Sequence, residues 1–122
     1  MTTTDYLVEM KARPITNVLS PSEAVALSER YVLPTLEACD RLVQEGRIVA
    51  GGPAVAGMSF TFVLRADSPA QVEEVVTALP IWARTETTIV PLTSFAGRAH
   101  AVRARVERLR NAAASLATSV NN

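Results

Sequence analysis

Glu9 is the residue best placed to do chemistry. It lies in an alternating segment, residues 6–12, where Tyr6, Val8 and Met10 share one face of a predicted strand and Leu7, Glu9 and Lys11 share the other. If the second face lines a closed interior, partial burial raises the carboxyl pKa and makes Glu9 a usable base near neutral pH. The competing arrangement is an ion pair with a strand neighbour such as Arg65 or Arg47, and strand register decides between them. Arg47 and Arg65 could each fork onto a substrate carboxylate, or serve as exposed charges at strand ends. Ser59 and Thr61 share a mixed face with Val63 and Arg65 in residues 58–65. They could orient a ligand, or form ordinary sheet surface. Trp82 follows Leu79-Pro80-Ile81 and could wall a pocket mouth or anchor a subunit interface. Arg84 and Glu86 beside it read as a simple ion pair.

Composition narrows the chemistry. His100 is the single histidine, and it falls in an Arg-rich terminal segment, so metal sites and histidine-based triads have little to stand on. Cys39 is the single cysteine and sits in a helical pattern with Leu36, Leu42 and Val43, which reads as an inert, buried thiol. The formal charge is zero, so no overall field favours nucleic acid or an anionic membrane. No apolar stretch reaches the roughly 18 residues of a membrane span, and the start of the chain has neither a basic nor an apolar run. These features predict a soluble, cytoplasmic protein.

The elements that must position these residues follow from caps and periodicity. Ser20-Pro21-Ser22-Glu23 is a helix start, with Ser20 as cap and Glu23 three positions on. The helix runs to Glu45 and stops at Gly46, with Ala24, Leu27, Tyr31, Ala38, Leu42 and Val43 as its stripe. Pro34 predicts a kink or break near Val32. A hairpin follows, residues 47–50 and 58–65, joined by a turn built on Gly51-Gly52-Pro53. Met58, Phe60, Phe62 and Leu64 form its core face. Ser68-Pro69 opens a second helix with Val72, Val75, Val76 and Leu79 buried. Residues 85–92 form the last strand. The order strand, helix, strand, strand, helix, strand predicts a ferredoxin-like α+β domain over residues 1–98, with both helices on one face of an antiparallel sheet. The uncovered face then calls for a partner, most simply a second copy. Residues 99–122 add a C-terminal helix with a frayed tail. Val102, Val106, Leu109, Ala113 and Leu116 make its narrow stripe, for packing on its own domain or on a neighbouring subunit.

The first strand Tyr6-Leu7-Val8-Glu9-Met10, the segment Arg41-Leu42-Val43-Gln44-Glu45-Gly46, and Ala78-Leu79-Pro80-Ile81-Trp82 before a strand ending Val90-Pro91-Leu92 resemble muconolactone isomerase. The resemblance covers residues 6–98. It implies a dimeric α+β barrel that assembles further, and a double-bond shift in a small lactone acid of aromatic catabolism, by proton movement without metal or cofactor. Such chemistry needs a base and a cation for the substrate carboxylate. Where that family carries aromatic, basic and histidine residues after the helix-ending glycine, this chain has Arg47-Ile48-Val49-Ala50-Gly51-Gly52-Pro53. The Gly-Gly-Pro is similar to YCII-like proteins.

The expected function is therefore a cofactor-independent isomerase acting on a small anionic lactone or related carbonyl compound. Glu9 moves the proton, Arg47 holds the anion and Trp82 closes the pocket. The alternatives are a non-catalytic ligand-binding or assembly protein on the same barrel, and a cofactor-free oxygenase or cyclase.

Overall fold

Alternation builds the sheet. In β1 (Thr4–Ala12) Tyr6, Val8 and Met10 are buried while the residues between them are half-buried or exposed. In β3 (Ser59–Ala66) the same period buries Phe60, Phe62, Leu64 and Ala66. With β2 (Ile48–Pro53) and β4 (Thr85–Leu92) these strands form an antiparallel sheet in the order β2-β3-β1-β4. The structure is a computed structural model and describes residues 2–14, 18–55 and 57–120; the expected fray over residues 120–122 lies outside them but for Val120.

The helical layer begins with α1 (Pro21–Leu27). Ser20 Oγ accepts the Glu23 N–H at 3.2 Å, and Glu23 Oε1 accepts the Ser20 N–H at 3.2 Å. These bonds to the charged form hold the Glu23 pKa below its ordinary value. A π-helical turn (Ser28–Val32) separates α1 from α2 (Leu33–Gln44). Pro34 is its cause: proline has no N–H for the Arg30 carbonyl, and the turn widens so that the Leu33 N–H reaches Ser28 O. The expected break at Val32 is thus a wide turn in a continuing helix. Of the expected stripe, Ala24 and Val43 lie outside the core while Leu42 lies within it. Glycine at 46 takes a φ of +74° and ends α2. Helix α3 (Pro69–Thr77) is capped by Ser68 and buries Val72 and Val76.

One core joins these layers. Side chains of α2 and α3 meet one face of the sheet around Val8, Met10, Phe62 and Leu64, with Leu79 and Ile81 closing it. Thr35 is fully buried there. Its hydroxyl donates to Tyr31 O at 2.7 Å and accepts the Ile81 N–H at 3.0 Å, which ties α2 to the segment leading into β4.

The Gly-Gly-Pro segment is not the hairpin turn. Strand β2 runs through it, with Gly51 opposite Phe62, Gly52 opposite Thr61 and Pro53 opposite Phe60. An edge strand tolerates proline because one of its sides has no ladder to feed. Gly51 has a φ of +94°, just past an irregularity between Ile48 and Ala50, and a Cβ there would collide with the Thr61 carbonyl and with Phe62 Cα.

The chain divides into two compact units, residues 1–92 and residues 93–122. The second is essentially α4 (Phe95–Val120), which starts ahead of the expected residue 99 because Ser94 Oγ accepts the Gly97 N–H at 2.9 Å. Among the described residues, no helix is long and apolar enough to cross a membrane.

Candidate functional site

The candidate site is the sheet face opposite the one that α2 and α3 cover. Register places Glu9 between Thr61 of β3 and Thr88 of β4, at the centre of the sheet. Toward one end of the strands, the next row is Ala50, Val63, Leu7 and Val90. Toward the other, Lys11 stands between Ser59 and Glu86. A single carboxylate is thus flanked by two threonine hydroxyls, with an apolar row on one side and an ammonium about 7 Å along the strand on the other. Glu9, Leu7, Val63 and Ser59 are half-buried, and Val90 and Leu92 are exposed.

Ser59 and Thr61 lie on the face of Glu9, as the alternation predicts. Arg65 does too, but it pairs elsewhere. Its Nε donates to Asp5 Oδ1 at 3.0 Å and its Nη2 to Asp5 Oδ2 at 3.4 Å. That carboxylate raises the Arg65 pKa further, first by hydrogen bonding and then by charge. Asp5 is Arg65's direct cross-strand partner and Glu9's are threonines, so the ion pair considered for Glu9 falls to Asp5 instead. Arg47 stands at the entry to β2, held by its main chain: its N–H donates to Leu42 O and its carbonyl accepts the Arg65 N–H. Trp82 is not on this face. It begins a short 3-10 turn (Trp82–Arg84) and is 41% exposed beside Tyr6, Val76 and Ile89, on the helical side of the sheet. Arg84 does not pair with Glu86; its guanidinium stacks on the Tyr31 ring at 4.5 Å from the centroid.

Lys11 and Thr88 are the residues that sequence reasoning missed as site members. Lys11 shares Glu9's face by simple alternation and is the only lysine of the chain, so its signal was present. Thr88 becomes a neighbour of Glu9 only through the β1–β4 register.

Two further concavities lie away from this face. A groove of about 400 Å³ runs between α3 and β4, with Tyr6, Val76, Trp82, Ile89 and Pro91 as its apolar wall and Glu73 at its edge. A cleft of about 360 Å³ at Tyr31 is lined by Arg30, Arg84 and Glu23. Cys39 is half-buried against the core, and burial pushes its thiol pKa up, away from a reactive thiolate. Among the described residues, no three of His, Cys, Asp and Glu gather closely enough to hold a metal ion.

No family model matches the chain, and no curated protein matches it in sequence.

Proposed function

We propose that two copies bring their uncovered sheet faces together into a ferredoxin-like α+β barrel, and that its interior binds a small anionic lactone or related carbonyl compound. Glu9 moves a proton within that substrate, in the manner of muconolactone isomerase and without a cofactor. The observation that carries this reading is a carboxylate at mid-sheet, flanked by threonine hydroxyls and next to an apolar row, on the face opposite α2 and α3. The strand order and the helical layer on one side support the ferredoxin-like assignment. The bulky Phe60, Phe62 and Met10 all lie under the helices, so they leave the opposite face to smaller side chains and room for a ligand.

In this mechanism Glu9 takes the proton from the γ carbon of the conjugated lactone. The C–H electron pair passes through the double bond into the carbonyl as a dienolate, and Glu9 returns the proton to the carbon next to the carbonyl. The double bond has moved, and Glu9 is again a carboxylate. Lys11 is the cation for the substrate carboxylate, in place of Arg47, which stands at the entry to β2, and of Arg65, which Asp5 already occupies. Arg47 adds positive charge at the sheet edge, and Ser59, Thr61 and Thr88 orient the substrate oxygens.

Muconolactone in deuterated water tests the role of Glu9. The wild-type protein should exchange deuterium into the lactone, and Glu9→Gln should slow that exchange by about 10²–10⁴-fold. Equal exchange by the two proteins would sink the mechanism. Binding without any exchange by the wild type would leave a ligand-binding protein in its place.

A further inference from the structure

Helix α4 has no core of its own. Among the described residues of its unit nothing packs on it, and its apolar side chains stand open: Phe95 is 97% exposed, Leu109 58% and Leu116 66%. Helices in water draw most of their stability from an amphipathic face packed on something else. The face of α4 is well defined. Phe95, Ala99, Val102, Val106, Leu109, Ala113 and Leu116 follow one another at alternating steps of four and three, the seam of a two-stranded helical contact. Arg98, Arg103, Arg105 and Arg110 flank that seam on both sides.

Those arginines exclude the simplest partner, another α4. In a parallel pair Arg98 faces Arg103 of the second helix and Arg105 faces Arg110. An antiparallel pair centred on the seam again sets Arg103 against Arg110. Like charges at these positions oppose pairing. The helix needs an apolar groove with a carboxylate rim.

Such a groove exists on the other unit. Helix α3 is short and leaves the helix-side row of β4 without cover, so that Ile89 is 38% exposed and Pro91 is exposed beside Trp82. Glu73 lines this groove, and Glu74 lies beside it on the exposed side of α3. From Thr87 to Pro91 the groove follows about 14 Å of strand. That length takes between two and three helical turns, enough for Val102, Val106 and Leu109. Overall charge agrees. Residues 93–122 hold five Arg and one Glu, and residues 1–92 hold the other seven cationic and eleven acidic side chains, which sets +4 against −4.

We propose that α4 of one copy docks its apolar seam into the α3–β4 groove of a second copy, with Arg103 and Arg110 reaching the carboxylates of α3. The contact is independent of what the uncovered sheet face binds.

Disulfide trapping between full-length chains tests the contact. In a Cys39→Ala background, one chain carries Ile89→Cys in the groove floor and the other carries Val106→Cys on the seam. Mixed and oxidised, they should form the mixed disulfide about tenfold faster than pairs carrying Ala104→Cys, on the far side of α4, or Thr88→Cys, on the other sheet face. Circular dichroism checks that each variant is folded. The proposal is overturned if the seam and control pairs couple at the same rate. It is overturned in favour of α4 self-pairing if Val106→Cys chains couple mainly with one another. It is also overturned if a chain carrying both cysteines closes only on itself, which would place α4 in its own groove.

Discussion

Thr35 shows how much one buried hydroxyl organises. It satisfies the Tyr31 carbonyl within the π-helical turn and the Ile81 N–H before β4, two main-chain groups far apart in sequence. Thr35→Val keeps the shape and removes the hydroxyl, so the Ile81 N–H is left buried without an acceptor. Stability should fall by about 1–3 kcal/mol, read as a lower urea midpoint at unchanged slope, with Thr35→Ser losing less. A Thr35→Val protein as stable as the wild type would show that the bond contributes nothing. Glu9 and Asp5 make the complementary point about surface charge. Both sit on the same strand and the same face, and the observed register gives the arginine to Asp5 and the threonines to Glu9. Alternation in the sequence was enough to put Glu9, Lys11, Ser59, Thr61 and Arg65 on one face. It could not say which carboxylate meets Arg65, because that depends on how two strands slide past each other.

At the scale of elements, β2 departs furthest from its sequence pattern. Gly51-Gly52-Pro53 has the composition of a turn, yet it is strand, because an edge position and an irregular ladder near Val49 accept what a central strand would reject. Gly51→Ala should therefore be costly even though the residue is exposed. It combines a positive φ, worth about 1–3 kcal/mol, with a collision against the Thr61 carbonyl. Thermal unfolding should show a clear drop for Gly51→Ala and little change for Gly52→Ala, whose added methyl meets open space; equal effects would contradict the geometry. Strands β1, β3 and β4 were legible because each shows period-two alternation or a run of β-branched residues between clear breakers. The π-helical turn was legible only as an interruption at Pro34. The sequence marks where the ladder loses a donor and leaves open whether the helix kinks, breaks or widens.

At the scale of the molecule, two unlike surfaces ask for company: the uncovered sheet face of residues 1–92 and the seam of α4. Their variants separate the two pairings. Val63→Asp puts a charge in the apolar row beside Leu7, and Leu109→Glu puts one in the middle of the seam. By light scattering each single variant should remain larger than one 13.1 kDa chain, and the double variant should run at 13.1 kDa. A wild-type mass of 13.1 kDa would sink both pairings together.

The outer strands carry a consequence for how such assemblies stop growing. The sheet ends in β2 on one side and β4 on the other, and each contains a proline, Pro53 and Pro91. A strand from another molecule that tried to extend the sheet would meet a missing donor at either margin, and on the β2 margin a distorted ladder as well. Lateral zippering into fibrils is thereby discouraged at both margins, even though the chain displays Val49, Ile89, Val90 and Leu92 to its surroundings. Crowded copies of this protein are thereby kept from joining edge to edge through their sheets.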